Sequence, residues 1–335
     1  RTGMAHLFEH LMFGGSQHIP DYDVHVQLAG GENNAFTTND VTNYYLTLPA
    51  DQLETAFWLE SDRMLALDFR QQPLDVQKSV VIEEFKQRYL NQPYGDAYLH
   101  LRPLHFHKHP YRWMTIGQSL EQIEAVTLEE VKAFFYTFYA PNNATLVVSG
   151  GVQRDDVLRL AEKWFGPIPE RPVQRPERTT EPPQTQPRRA TLRRPVPQAA
   201  VYRAYHIPAF AKGDYFAVEF LAQLLSGGKA SRLYQRLVKE QQLCTSVGAF
   251  SWSLLDPGMF SINARLAEGV TPEAYEQALD EAIAELQQDL DAAELARHVT
   301  RMTSSEAFEL TEVASRALNL ALYDAAGDPH LVTGH

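Results

Sequence analysis

The sequence predicts an α+β chain of two domains that repeat a similar helix–strand order. Its 335 residues exceed the usual size of one domain and suffice for two cores. From Pro167 to Pro197 the chain is rich in Pro, Arg, Gln and Thr and almost free of apolar residues, which is typical of an extended surface linker. We therefore expect domains at 1–166 and 198–335, joined by a linker at 167–197.

The composition is that of an ordinary folded protein, with 44% hydrophobic and 21% charged residues. No stretch approaches the roughly 18 apolar residues of a membrane-spanning helix, so no span is predicted. The net charge of −12 argues against nucleic acid as a partner and is compatible with basic peptide substrates. Cys244 is the single cysteine, which excludes an internal disulfide.

The first predicted element is a helix over Gly3–Phe13, GMAHLFEHLMF, ended by Gly14 and Gly15. Apolar residues at i, i+3, i+4, i+7 and i+8 from Met4 form one face of this helix. A neighbouring face carries three polar side chains: His6, Glu9 and His10.

The two imidazoles lie four residues apart and can therefore reach one point, with the Glu9 carboxylate beside them. Two imidazoles suit Zn²⁺, and the carboxylate is left to accept a proton from water. The order His-x-x-Glu-His is the inverzincin motif, the reverse of the His-Glu-x-x-His of thermolysin-like enzymes. The alternative is two partly exposed histidines beside a surface glutamate.

A third ligand is available on a helix that begins near Pro73 and carries Val80, Val81, Phe85 and Tyr89 as its expected buried face. Glu83 and Glu84 are adjacent in this helix, so they point about 100° apart and only one can face the metal easily. From the residues alone both remain candidates, and solvated carboxylates are the alternative.

The remaining elements are predicted from hydrophobic periodicity and from the turn residues that bound each helix or strand. Asn33–Pro49 is β-branched and aromatic around a Thr-Asn-Asp turn, which predicts a hairpin. The other expected elements of the first domain are a helix from Tyr22 to Gly30–Gly31, helices at Gln52–Phe69, Leu128–Tyr139 and Val157–Phe165, and a buried strand at Ala144–Ser149. The second domain is expected to contain strands at Ala199–Ala204, Val247–Trp252 and Met259–Ala264, and helices at Tyr215–Leu225, Ala230–Glu240, Pro272–Leu290 and Ala293–Leu310.

Four histidines crowd the stretch LHLRPLHFHKHPY: His100, His105, His107 and His109. Pro103 and Pro110 interrupt helical spacing there, and no acidic residue accompanies the histidines. A second metal site is therefore not favoured.

The sequence resembles the pitrilysin, insulysin and mitochondrial processing peptidase family of zinc metallopeptidases. The resemblance rests on the His6–His10 motif, the Val-Val-x-Glu-Glu run at Val80–Glu84, the Gly31–Thr37 run and His109-Pro110-Tyr111, and it extends over essentially the whole chain. It implies two similar domains, each a mostly antiparallel sheet covered by helices, of which only the first holds zinc.

The resemblance also implies the roles of individual residues. The zinc ligands are expected to be His6, His10 and Glu84, with Glu83 as the exposed neighbour. Glu9 is expected to be the general base of a zinc-dependent endopeptidase, taking a proton from zinc-activated water and passing it to the leaving amine. The backbone of Asn34, Ala35, Phe36 and Thr37 is expected to form the edge strand to which an extended peptide adds.

Two departures from the family pattern concern the partner and the metal site. Family members that bind substrate alone carry an Arg and a Tyr seven apart in the second half, where this chain has Val238 and Thr245. We therefore expect a zinc-free homologous subunit to supply that pair in a heterodimer, with a homodimer as the second possibility. Gln77 stands where many members have a second glutamate, so the electrostatics of the zinc site are expected to be weaker.

The resemblance bears on three further expectations. The chain is expected to be a fragment of a longer subunit, because family members place a strand before the motif helix and continue beyond Asp328–Val332. The resemblance favours the bacterial periplasm over the cytoplasm. The competing function is a non-catalytic peptide-binding or structural subunit, against which the intact motif argues.

Overall fold

The computed structural model describes residues 1–173, 177, 179–252 and 255–330. These residues form two compact units. The first unit contains residues 1–91, 113–180 and the segment from Glu312 onward, and the second contains residues 92–112 and 181–311. Both units combine helices with antiparallel strands, which confirms the α+β fold class. The domain boundaries placed at 166 and 198 stay a prediction.

Short and medium-length helices dominate the described residues. In chain order they are α1 (Met4–Leu11), α2 (Tyr22–Leu28), α3 (Leu53–Leu65), α4 (Gln71–Phe85), α5 (Ala97–His105), α6 (Leu120–Glu124), α7 (Leu128–Phe138), α8 (Arg154–Phe165), α9 (Tyr215–Ser226), α10 (Pro272–Gln288), α11 (Ala292–Glu309) and α12 (Val313–Ala325). Helix α4 passes directly into a π-helical turn, Lys86–Leu90, and a second such turn, Tyr234–Glu240, lies in the helix predicted at Ala230–Glu240.

In the described part of the chain, five strands form two antiparallel sheets, one in each unit. Strands β1 (Glu32–Thr37) and β2 (Thr42–Thr47) make the predicted hairpin of the first unit. In the second unit the order is β3-β5-β4, and the bounds are β3 (Ala200–Ile207), β4 (Cys244–Trp252) and β5 (Gly258–Leu266). The strands predicted at Val247–Trp252 and Met259–Ala264 are confirmed as parts of β4 and β5, which pair with each other.

Helix α1 is anchored by one aromatic side chain. Phe8 is completely buried, and its ring lies 4.4 Å from that of Tyr139 and 5.3 Å from that of Phe134, measured between centroids. The chain turns at Gly15, where φ is +94°. A Cβ atom added there would lie 2.4 Å from the Pro20 carbonyl oxygen, so only glycine fits. The packing of Phe8 against Phe134 and Tyr139 directs the opposite face of α1 toward the hairpin and α4.

A buried arginine ties the hairpin to α3. The Arg63 side chain is 3% exposed and is paired with Glu60 on the same helix. Its guanidinium lies 4.5 Å from the ring centroid of Tyr44 on β2 and 4.7 Å from that of Tyr22. Because the ion pair with Glu60 holds the guanidinium in place, its contact with the Tyr44 ring favours this position of β2.

The second unit has its own core between its sheet and helices. Leu233, Leu237 and Leu279 are fully buried there, against the inner face of β5. Cys244 is also buried in this core, as a free thiol.

The linker predicted at 167–197 contains no helix or strand among its described residues. Within the second unit it makes specific polar contacts. The Glu181 carboxylate accepts hydrogen bonds from the backbone N–H groups of His107, Lys108 and His109, at 2.6–2.8 Å. Arg188 donates to the carbonyl of Leu104 at 2.7 Å, so the linker is held against α5 along part of its length.

Three expectations about secondary structure and burial are wrong. The segment Ala144–Ser149 joins no strand in the described part of the chain, and Leu146 is 50% exposed; without a neighbouring strand an apolar run cannot form a sheet. Val80 is 45% exposed, because the buried row of α4 runs through Leu74, Val81 and Phe85. Pro103 does not interrupt a helix, since it lies inside α5.

No helix in the ranges that the structure describes is both long and apolar enough to cross a membrane.

Candidate metal centre

Helix α1 places three polar side chains together at its inner surface. His6 and Glu9 are each 9% exposed, and His10 is half-buried. The rings of His6 and His10 lie one helical turn apart, with centroids separated by 4.9 Å. Phe8 is fully buried on the side of the helix opposite His6 and His10, so the rotation of α1 that its packing fixes also sets the direction of both imidazoles.

Helix α4 brings a carboxylate to the same point. Glu84 Oε2 lies 3.7 Å from His6 Nε2 and 3.4 Å from His10 Nε2. These are the only three His, Cys, Asp or Glu side chains in the described residues whose ligand atoms lie within 4.8 Å of one another. Glu83 points elsewhere: its carboxylate is exposed and pairs with Lys86 at 2.6 Å.

The donor set and its spacing fit Zn²⁺. Ligand atoms about 2.0–2.1 Å from a tetrahedral zinc ion lie roughly 3.3–3.4 Å from one another. The two distances from Glu84 to the imidazoles are close to that spacing, before any adjustment that a bound ion would impose. Two imidazoles with one carboxylate also leave a coordination position open, as catalytic zinc sites do.

The electrostatics keep His6 and Glu84 in metal-binding protonation states. Burial lowers the pKa of His6 to about 4, so its ring is neutral at physiological pH. A hydrogen bond from His10 holds the pKa of Glu84 below its ordinary value, so this carboxylate stays charged. The Nδ1 atom of His6 is buried without a hydrogen-bond partner in the described structure, so packing rather than a hydrogen bond to this atom fixes the ring.

Glu9 has a different environment from Glu84. Burial raises its pKa, while a hydrogen bond from the Thr37 hydroxyl and the nearby His10 oppose the rise. A carboxylate with a raised pKa is a stronger base than an exposed one. The arrangement therefore places a carboxylate of raised pKa beside a triad that could hold a metal ion.

Strand β1 borders the centre. Of its four residues predicted to bind substrate, Thr37 reaches Glu9 directly, a contact that the sequence analysis did not foresee. Ala35 N–H points away from β2, because the Asn34 side-chain oxygen accepts it at 2.8 Å. Phe36 lies between them in the strand, opposite Asn43. Among the described residues β1 pairs only with β2, so its outer edge carries no ladder hydrogen bonds.

Arg88 is a further residue at the centre that sequence reasoning missed. Its Nε lies 3.1 Å from Glu84 Oε1, while Oε2 of the same carboxylate faces the two imidazoles. The spacing from Glu84 to Arg88 is i to i+4 on one helix, which was a readable signal for this pair. Gln77, which stands where many family members have a glutamate, is half-buried on α4.

The histidines of the 100–109 stretch belong to the second unit and make separate contacts. His105 stacks on His206, with ring centroids 3.8 Å apart. His109 Nε2 lies 3.2 Å from Asp256 Oδ2. His100 Nε2 lies 3.6 Å from Asp96 Oδ2, and the His107 backbone binds Glu181.

Known proteins share both the fold and the sequence pattern. Residues 1–122 match the family model described as Insulinase (Peptidase family M16), and residues 125–302 match the model described as Peptidase M16 inactive domain. The fold and the matched residues are thus those of a peptidase family. The chain belongs to peptidase family M16, which confirms the resemblance seen in the sequence.

Individual relatives agree with this assignment. A zinc protease named PqqE from Helicobacter pylori is 30% identical over 301 residues, covering 88% of this chain and 66% of that protein. A crystal structure described as a protease from H. pylori has a TM-score of 0.91 at 28% identity, covering 99% of this chain and 81% of the other. Mitochondrial-processing peptidase subunit beta of Caenorhabditis elegans is 25% identical over 172 residues, covering 50% of this chain and 36% of that protein. The chain thus spans about two thirds of the length of PqqE and about one third of that of the processing-peptidase subunit.

Proposed function

We propose that the chain carries the active site of a zinc-dependent endopeptidase that hydrolyses extended peptides. The observation that carries the proposal is the convergence of His6, His10 and Glu84 within 4.8 Å, with Glu9 on the same helix as both histidines. The family and its relatives named zinc proteases support the same conclusion.

Zinc held by this triad would supply Lewis-acid chemistry, lowering the pKa of water and polarising the scissile carbonyl. Glu9 would accept the proton of the attacking water and deliver it to the leaving amine. Its raised pKa, caused by burial, favours both halves of that role. Arg88 would hold one oxygen of Glu84 and leave the other for the metal.

The outer edge of β1 is the proposed binding site for the peptide. An extended substrate can add to an edge strand through backbone hydrogen bonds, which read conformation rather than sequence. Asn34, Ala35, Phe36 and Thr37 provide that edge beside the metal triad. The Ala35 N–H is a donor on this edge, and substrate would replace the Asn34 side chain as its acceptor.

The second candidate is a non-catalytic peptide-binding or structural subunit of a peptidase-like complex. The observation that favours it is the match of residues 125–302 to a domain described as inactive. The proposed site, however, lies within residues 1–122, which match the other model. A scaffold has no need of a buried Glu9 beside two imidazoles, so the catalytic proposal is preferred.

A partner subunit forms part of the proposal. Val238 packs against the core of the second unit, and the Thr245 hydroxyl faces Gln198 Oε1 at 3.2 Å, so neither supplies a free donor for substrate. We infer that a zinc-free homologous subunit carries the Arg and Tyr pair, with a homodimer as runner-up. The relative named subunit beta supports an assembly of subunits.

Replacing Glu9 by Gln should abolish peptide hydrolysis while zinc stays bound. The amide keeps the shape of the carboxylate but cannot accept the proton, a loss that typically costs about 10²–10⁴-fold in rate. The measurement is kcat on an extended peptide, with zinc content by mass spectrometry and thermal unfolding as controls. Near wild-type turnover by the zinc-loaded Glu9→Gln variant would contradict the mechanism.

Replacing Ala35 by Pro should raise KM about tenfold, because it removes one backbone donor from the edge of β1. The pairing of β1 with β2 should survive, since the Ala35 N–H does not take part in it. Ala35→Ser is the matched control, because it keeps the N–H and should leave KM within about twofold of wild type. An unchanged KM for a folded, zinc-loaded Ala35→Pro variant would exclude this edge as the binding site.

The lone chain should hydrolyse peptides weakly and gain strongly when a zinc-free homologous subunit is added. Mass measurement by light scattering, run beside the peptide assay, distinguishes a heterodimer from a homodimer. Full activity from a monomeric chain would refute the partner proposal.

A further inference from the structure

Thr37 is the last residue of β1, and its side chain crosses from the hairpin to α1. Its hydroxyl donates a hydrogen bond to Glu9 Oε2, across 28 residues of sequence. Both side chains are partly or fully shielded from solvent. In the described residues Glu9 Oε1 receives no hydrogen bond, so one carboxylate oxygen is held and the other is left to act.

The Thr37 hydroxyl is itself oriented by neighbours. Thr42 lies directly opposite Thr37 in the β1–β2 register, and their hydroxyl oxygens are 3.3 Å apart. Since the single hydroxyl proton of Thr37 is directed at Glu9, Thr42 must be the donor in the pair. The row of hydroxyls continues through Tyr139, which interacts with Thr42 and lies 2.6 Å from the Tyr44 hydroxyl.

The two tyrosine hydroxyls at the far end of this row keep their protons. Burial raises the pKa of Tyr139 to about 12 and that of Tyr44 well above its ordinary value, so both remain neutral hydroxyls at physiological pH. The Tyr139 ring packs on Phe8, and the Tyr44 ring lies over the buried Arg63 guanidinium. The row therefore extends from Glu9 to tyrosines that pack on the buried side chains of Phe8 and Arg63.

We propose that Thr37 is a positioning residue, which holds the Glu9 carboxylate by one oxygen so that the other oxygen faces the reacting water. The inference rests on the proposed function and names a residue on which it depends. Threonine suits the task, because its branched Cβ restricts χ1 and its hydroxyl donates a single proton. Small displacements of a catalytic group can cost up to about 10²-fold in rate, so this hydrogen bond should affect turnover more than binding.

The test compares Thr37→Val with Thr37→Ser. Valine keeps the shape and the strand preference but removes the hydroxyl, whereas serine keeps the hydroxyl and removes the methyl group. We expect Thr37→Val to lower kcat roughly 10–100-fold with KM within about twofold and zinc content unchanged. Thr37→Ser should recover kcat to within about threefold of wild type. Thr47→Val, an exposed position of β2, controls for a valine in the hairpin.

A readout independent of turnover is the conformation of Glu9 in crystals of the three full-length chains. A single Glu9 conformer in wild type and Thr37→Ser, with several in Thr37→Val, is the expected result. Wild-type kcat in Thr37→Val, or equal losses in the valine and serine variants, would overturn the proposal. If wild type hydrolyses no peptide, the proposed function fails, and the Glu9 conformers alone decide whether Thr37 positions the carboxylate.

Discussion

The packing of α1 against α4 is the contact on which the rest of the site depends. Helix α1 supplies both histidines and Glu9, and α4 supplies the carboxylate that lies 3.4 Å from His10. Phe8 fixes the rotation of α1 from the face away from the two histidines, since its ring is fully buried among the aromatic side chains of α7 and Tyr139. A rotation of either helix by one residue, about 100°, would direct its ligands away from the centre.

Burial shifts the pKa values of a histidine and a glutamate at this centre in opposite directions, and both shifts suit the proposed chemistry. It disfavours the charged form of each group, so it lowers the pKa of His6 and raises that of Glu9. The first effect frees a nitrogen for a metal ion, and the second makes a stronger proton acceptor. Glu84 escapes the same shift because His10, and also Arg88, favour its ionised form. The same partly buried centre thus holds two carboxylates, Glu9 and Glu84, with different proposed roles.

The sequence predicts those parts of the molecule that depend on local spacing. The His6–His10 motif and the Asn33–Pro49 hairpin are readable because helix and turn geometry are set by neighbouring residues. The expected strand at Ala144–Ser149 fails because a strand needs a partner, which spacing cannot supply. The sequence predicts Thr37 only as a backbone contact for substrate, since its link to Glu9 joins elements 28 residues apart and exists only in the tertiary structure. The choice of Glu84 over Glu83 came from the family resemblance rather than from spacing.

The central claim is that His6, His10 and Glu84 hold a zinc ion, and the most direct test is zinc stoichiometry combined with X-ray absorption on matched variants. The wild-type chain should bind one zinc, with two imidazoles and oxygen donors at about 2.0–2.2 Å. Glu84→Gln should lose most of that zinc, whereas Glu83→Gln, whose parent side chain pairs with Lys86 at the surface, should keep it. Zinc lost from Glu83→Gln and retained in Glu84→Gln, or a spectrum with fewer than two imidazoles, would contradict the assignment.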